Sequence, residues 1–208
     1  MTTEQSSKAE AVRLEELWRG DFGDAYVERN KAAGNVRAAF WNEILEEFPA
    51  RRVLEVGCNM GANLGWIAQK LPPQQVYGID INLKSLDLLH QNLPQVNGIW
   101  SPARELPFRD NWFDMVFTMG VLIHQPESTL PIVMAEIVRC SRRYVLCGEY
   151  YAEEKAEVPY RGQTGALFKR NYRRLYEELF PQLKLVKQGF LSQDQGWDDV
   201  TYFVFEKQ

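Results

Sequence analysis

Arg52-Val53-Leu54-Glu55-Val56-Gly57-Cys58-Asn59-Met60-Gly61-Ala62-Asn63-Leu64 is the stretch whose reading decides the fold. Val53, Leu54 and Val56 form a short apolar run suited to a buried parallel strand. Gly57 and Gly61 supply a turn in which no Cβ obstructs a ligand. Asn63 can start a helix near 62–70, with Leu64, Trp66, Ile67, Ala68 and Leu71 as its apolar face. A strand that turns through glycines into a helix places backbone N–H groups in a crevice at the strand's carboxyl end, which suits a nucleotide.

The elements around this stretch alternate. Strands are expected near 52–57, 76–81, 98–100, 113–118 and 144–150, with helices at 83–92 and 128–140. Such alternation predicts an α/β fold with a doubly wound, mostly parallel sheet and right-handed crossovers. Residues 167–180 read as a further helix. Leu183–Leu191 and 199–206 read as an antiparallel hairpin at the sheet edge, which makes seven strands. Before the core, residues 1–8 are polar and expected to fray. A helix follows from Ala9 to Trp18, broken by Gly20 and Gly23, and Asp24 can cap a second one. A third carries Phe40, Trp41, Ile44, Leu45 and Phe48. The reading is one domain over 1–208, with 1–48 a helical cap and 52–208 the core.

Composition narrows the class. The chain has 208 residues, 45% of them hydrophobic and 25% charged, as in ordinary soluble globular proteins. A net charge of −4 argues against nucleic acid as the main partner. No apolar run reaches the roughly 20 residues of a membrane span, and Met1–Glu10 lacks a signal-peptide core, so the cytoplasm is the expected compartment. Cys58, Cys140 and Cys147 lack metal-ligand spacing and only two histidines exist, so no metal site is expected.

Three more segments carry candidate chemistry. Asp80, followed by Ile81, ends the second strand, where a carboxylate can accept hydrogen bonds from both hydroxyls of a ribose; the plainer role is a turn or N-cap aspartate. Ser101-Pro102-Ala103-Arg104-Glu105-Leu106-Pro107-Phe108 follows the third strand. Met119-Gly120-Val121-Leu122-Ile123-His124 follows the fourth. His124 can act as a general base toward an acceptor, or it can simply bond the backbone and shape its loop.

The Glu55-x-Gly57-x-Asn59-x-Gly61 loop, Asp80, the Ala103…Leu106-Pro107-Phe108 turn and Phe113-Asp114 come in the order found in class I S-adenosylmethionine (SAM) methyltransferases, which this chain resembles over residues 52–126. The pattern departs at Asn59, where a glycine is usual, and at Pro102, where an acid is usual. The resemblance implies a Rossmann-like fold and binding of SAM, with S-adenosylhomocysteine (SAH) as product. It implies cofactor contacts from Glu55, Gly57, Cys58, Asn59, Gly61, Asn63, Asp80, Ile81, Ser101, Ala103, Met119 and Gly120.

Trp18-x-Gly20-x-Phe22-Gly23-x-x-Tyr26-x-x-Arg29-Asn30 is similar to the opening of methyltransferases associated with pseudaminic and related nonulosonic acid biosynthesis. Tyr26, Arg29 and Asn30 share one helix face. The resemblance implies that they cover the cofactor, with Arg29 on its carboxylate; a solvated face with one packed tyrosine is the alternative.

The expected function is methyl transfer to an oxygen or nitrogen of a small, acidic metabolite or sugar. His124, Tyr150 and Tyr151 are the candidate catalytic groups, with no choice made between the tyrosines. Arg161, Lys169 and Arg170 are the candidate acceptor contacts, although they can equally be solvated charges. A protein methyltransferase and a non-catalytic partner protein of the same fold are the alternatives. Monomer and homodimer both fit.

Overall fold

A computed structural model describes residues 3–30 and 37–208 of the chain. Three helices come first: α1 (Thr3–Arg19), α2 (Asp21–Asn30) and α3 (Ala38–Glu47). Alternating elements follow as β1 (Val53–Val56), α4 (Leu64–Ile67), β2 (Val76–Asp80), α5 (Leu83–Asn92), β3 (Asn97–Trp100), β4 (Phe113–Met119), α6 (Leu130–Cys140) and β5 (Ser141–Glu149). The chain ends with β6 (Ala156–Glu157), β7 (Phe168–Lys169), α7 (Tyr172–Leu179), β8 (Leu183–Leu191) and β9 (Val200–Lys207).

Seven strands form one sheet in the order β3-β2-β1-β4-β5-β9-β8. The pairs from β3 to β5 are parallel; β9 runs antiparallel to both β5 and β8. This is the Rossmann-like methyltransferase fold. The chain leaves β1 toward β2 and β3, then returns to the other side of β1 as β4 and β5. The crevice beyond the ends of β1 and β4 is therefore a topological switch point, where open α/β sheets bind ligands.

Strand alternation divides the core between the two sheet faces. Val53, Met115, Phe117, Tyr144 and Leu146 pack with Phe40, Trp41 and Ile44 of α3 and with Leu89 of α5. Leu54, Val116, Val145 and Cys147 pack with Val133 and Ile137 of α6 and with Tyr172 and Tyr176 of α7.

Several elements differ from the sequence expectation. The first helix begins at Thr3 instead of fraying to residue 8; residues 1 and 2 lie outside the described residues. Gly23 and Asp24 sit inside α2, which starts at Asp21. Gly23 is there for close approach, because a Cβ on it would stand 1.9 Å from the Trp18 carbonyl oxygen. The helix after β1 shrinks to four residues, since its end tightens into i→i+3 bonds such as Gln69 N–H to the Trp66 carbonyl, ahead of Pro72. Residues 168–169 form a strand paired with β6, and α7 starts only at Tyr172 because the Asn171 side chain caps it by accepting from Arg174 N–H at 2.9 Å.

Candidate active site

Gly57 opens the turn after β1 with φ +75°, and its N–H and that of Cys58 donate to the Ile79 carbonyl at 2.8 and 2.9 Å. These bonds lock the loop onto β2. Asn59 takes φ +48°, a left-handed geometry that asparagine tolerates better than most residues. Its N–H then donates to Asp80 Oδ2 at 2.7 Å, while Asn82 N–H donates to Asp80 Oδ1 at 2.8 Å. Each oxygen of Asp80 is thereby fixed by one backbone donor and keeps lone-pair capacity for a ligand. Burial pushes the Asp80 carboxyl up from its ordinary range, against the pull of those N–H groups.

Asn63 does not cap α4 with its side chain. Its Nδ2 donates to Glu55 Oε1 at 2.6 Å, and its Oδ1 accepts from Arg37 Nη1 at 3.0 Å and Trp41 Nε1 at 3.2 Å. Glu55 is 2% exposed, and burial pushes its carboxyl up to about 8. Its Oε2, like Asn59 Oδ1, is buried without a partner among the described residues. Buried polar atoms are rarely left so, and both residues line the same cavity.

That cavity encloses about 1650 Å³ between protein atoms, its open mouth included. Its floor is the loop after β1, with Gly57, Cys58, Asn59 and Asn63, together with Asp80 and Ile81 from the end of β2. Ser101 and Ala103 line it after β3, and the Ser101 hydroxyl donates to the Glu105 carbonyl at 2.7 Å to hold that turn. Met119 and Gly120 line it after β4; Gly120 has φ +72°, and a Cβ added there would meet nothing within 4 Å. Tyr26 and Asn30 line it from α2, with Asn30 Nδ2 donating to the Tyr26 carbonyl at 2.8 Å. Burial pushes the Tyr26 hydroxyl up to about 12.

Helices α1 and α2 roof the crevice and are tied down by polar contacts. Asn82 Nδ2 donates to the Trp18 carbonyl at 3.2 Å and to Asp24 Oδ1 at 2.8 Å. Arg13 Nη2 donates to the Gly165 carbonyl at 2.9 Å, and Arg104 pairs with Glu15 at 2.5 Å.

His124 and Tyr150 line the cavity as well. His124 is 8% exposed, and its Nδ1 lies 2.6 Å from the Ala166 carbonyl oxygen. A carbonyl only accepts, so Nδ1 carries the proton and Nε2 is the unprotonated nitrogen. Burial lowers the imidazole to about 4, which keeps it neutral at ordinary pH. The Tyr150 hydroxyl is likewise pushed up by burial.

Other expected site residues lie elsewhere. Gly61 is absent from the cavity wall; a Cβ there would crowd Leu93 and Leu89, so it serves helix packing. Arg29 is exposed, its guanidinium 5.8 Å from the Tyr26 ring centre. Tyr151 is 37% exposed, donates to Glu153, and borders a separate surface groove with Arg173 and Phe190. This separates it from Tyr150, since side chains alternate along an extended chain. Arg161 is exposed on a left-handed turn with φ +49°. Lys169 holds its ammonium 5.9 Å from the Tyr150 ring, outside the cavity wall. Arg170 is 5% exposed and donates Nη2 to the Gln125 carbonyl at 3.0 Å, while its Nη1 is buried without a partner among the described residues; it does not line the cavity.

In their place the cavity draws on Trp18, Arg37, Tyr160, Trp197 and Asp198. Trp18 stood within the N-terminal motif read from the sequence. Arg37, which immediately precedes α3, carried no local signal; its side chain reaches the site by donating to Asn63 Oδ1.

Comparison with known proteins agrees with the fold. Residues 53–143 match a family model described as a methyltransferase domain. The chain is 32% identical over 98 residues to phthiotriol/phenolphthiotriol dimycocerosates methyltransferase 1 of Mycobacterium ulcerans, covering 46% of this chain and 35% of that protein. It is 31% identical over 71 residues to the fatty-acid O-methyltransferase of Mycolicibacterium smegmatis, covering 33% and 26% respectively. The chain spans about a third of the length of these curated relatives. Among solved structures, the Burkholderia thailandensis 1,6-didemethyltoxoflavin-N1-methyltransferase with bound 1,6-didemethyltoxoflavin and SAH superposes with a TM-score of 0.73 at 18% identity, covering 100% of this chain and 92% of that one. Magnesium protoporphyrin IX methyltransferase from Synechocystis with bound SAH gives 0.70 at 13% identity, covering 95% and 99%.

Proposed function

We propose that this protein is a SAM-dependent methyltransferase acting on an oxygen or nitrogen of a small molecule. The observation that carries the reading is the cradle at the switch point, where Asp80 is held by Asn59 N–H and Asn82 N–H beside the unpartnered Glu55 Oε2. The residues present fit the cofactor. Asp80 suits a ribose diol, Glu55 Oε2 an ammonium, and Arg37 a carboxylate. Arg37 takes the place expected for Arg29, because it lines the cavity and Arg29 does not.

When bound, SAM supplies a methyl group already activated by its sulfonium charge. The chain's part is to align the acceptor with that methyl and to exclude water. Alignment alone is worth about 7–11 kcal/mol, against about 10²–10⁴-fold for a positioned base. Helices α1 and α2 supply the roof that keeps solvent out. His124, neutral and with Nε2 unprotonated, can accept a hydrogen bond from an acceptor hydroxyl or amine and so orient it. Its lowered basicity makes full proton removal a minor part of its role. Tyr150 is the tyrosine available to the acceptor, since Tyr151 faces a different groove. An acidic sugar of nonulosonic type loses the support it drew from Arg161, Lys169 and Arg170, none of which lines the cavity.

Calorimetry with SAH, followed by incubation with methyl-labelled SAM and a panel of small hydroxylated and amino compounds read by mass spectrometry, tests the reading. Binding of SAH together with a labelled product is expected. Absence of heat with SAH at millimolar concentration would remove it.

A further inference from the structure

Four rings form a continuous wall on one side of the cavity. Trp18 lies 4.5 Å, centre to centre, from His124 and 5.3 Å from Tyr26. Tyr160 lies 5.3 Å from His124 and 6.4 Å from Trp18. Phe22 stands 5.3 Å from Trp18 and 6.0 Å from Tyr160, supporting both. All four wall residues border the cavity, and Leu14, Ile123 and Leu167 add apolar surface. Within this wall, Trp18 Nε1 is buried with no partner among the described residues.

Among the described residues, the cations nearby are already engaged or lie outside the wall, and the acid Asp198, which lines the same cavity, would repel an anion. Arg104 is paired with Glu15 at 2.5 Å. Arg37 donates to Asn63 and lies 4.8 Å from the Trp197 ring centre, toward the cofactor cradle. Arg170 donates Nη2 to the Gln125 carbonyl, and neither it nor Arg161 nor Lys169 is part of the cavity wall. His124 is uncharged at neutral pH. An anion pressed against this wall would lose its hydration without gaining a cation among the described residues, at a cost of several kcal/mol. A flat conjugated ring would instead gain face and edge contacts with four aromatic side chains.

We infer that the methyl acceptor is an uncharged molecule built on a flat conjugated ring, held against Trp18, His124 and Tyr160 with a hydrogen-bond acceptor atom facing the Trp18 indole N–H. The inference rests on the methyltransferase reading and adds the substrate class. It implies selection by shape and neutrality, with the acceptor hydroxyl or amine carried at the ring edge nearest the methyl.

Matched probes test it on SAH-loaded protein: 2-naphthol against 6-hydroxy-2-naphthoate, and 4-hydroxyacetophenone against 4-hydroxybenzoate, with N-acetylneuraminate as an acidic sugar. Dissociation constants are read by calorimetry at pH 7.5. The neutral member of at least one pair is expected to bind at least tenfold tighter than its carboxylate and than the sugar. Tyr160→Leu should weaken that binding about three- to tenfold while leaving the SAH constant within about twofold. Normal SAH binding with carboxylates bound as tightly as their neutral partners, with the sugar preferred, with no probe bound, or with Tyr160→Leu indifferent, overturns this inference and leaves the methyltransferase reading standing. Absence of SAH binding removes both.

Discussion

Asn63 joins Glu55 across the turn between β1 and α4: its amide nitrogen donates to Glu55 Oε1 at 2.6 Å, while the other carboxyl oxygen has no partner among the described residues. The same amide turns its oxygen to Arg37 Nη1 at 3.0 Å. One neutral side chain thus stands between a buried acid and a base, and keeps them from neutralising each other. We expect Asn63→Leu to weaken SAH binding by tenfold or more, because Glu55 and Arg37 lose their common anchor. Binding of 5′-methylthioadenosine, which has no amino-acid end, should change by less than about threefold. Calorimetry on both ligands checks this; equal losses for the two would mean that the substitution damages the whole loop.

The Glu55 carboxyl, pushed up to about 8 by burial, makes SAH affinity depend on pH. An ammonium at Oε2 favours the charged carboxylate, so binding below pH 8 must release a proton. The sign follows: affinity rises as pH rises toward 8, by at most about tenfold per pH unit, and then levels. Titration from pH 6 to 9 in buffers of different ionisation heat would count the proton. Glu55→Gln should flatten the profile, and a slope that survives this change would assign the proton elsewhere.

Asp80→Ala removes the acceptor that organises both Asn59 and Asn82. Hydrogen bonds to a charged group are worth about 1.5–3 kcal/mol each, so SAH binding should fall by at least about tenfold. Asp80→Asn, which keeps one acceptor oxygen, should lose less. Affinity unchanged in Asp80→Ala would exclude this carboxylate from the site.

His124 is lowered to about 4, so no ionisation of this ring should appear in turnover between pH 5.5 and 8 at saturating SAM. A limb of the kcat profile centred near 6.5 and lost in His124→Gln would contradict the buried, Ala166-bonded imidazole seen here. If the ring orients the acceptor, His124→Gln should lower kcat by about ten- to a hundredfold while SAH affinity stays near normal.

Asn82 caps α5 by accepting from Ser85 N–H at 2.8 Å, and with its amide nitrogen it holds the Trp18 carbonyl and Asp24. Asn82→Ala should cost about 0.5–2 kcal/mol through the lost cap alone. It should also speed amide exchange across α1 and α2 more than across β4 and β5. Uniform acceleration over the whole chain would show that Asn82 contributes only to global stability.

Local pattern carried the sheet and half of the cradle. The apolar run at 53–56, the glycines of the following turn and the acid ending β2 can each be read from neighbours in the chain, because strand burial and turn geometry are decided within a few residues. The hairpin strand 183–191 was legible for the same reason.

What tertiary structure alone decided is which distant side chains meet. Arg29 and Arg37 are both arginines near the N-terminal helices, yet Arg37 donates to Asn63 and lines the cavity, whereas Arg29 is exposed beside the Tyr26 ring. Arg161, Lys169 and Arg170 look like a cationic patch in sequence, but the β6–β7 pairing and the Gln125 carbonyl draw their charges away from the cavity. Trp18 and Tyr160 lie far apart in the chain and form one wall only because the sheet's switch point brings both over the same crevice. Sequence periodicity assigns a residue to the buried or exposed side of its own element; the far surface that it meets is set by crossovers and loops, which no local repeat encodes.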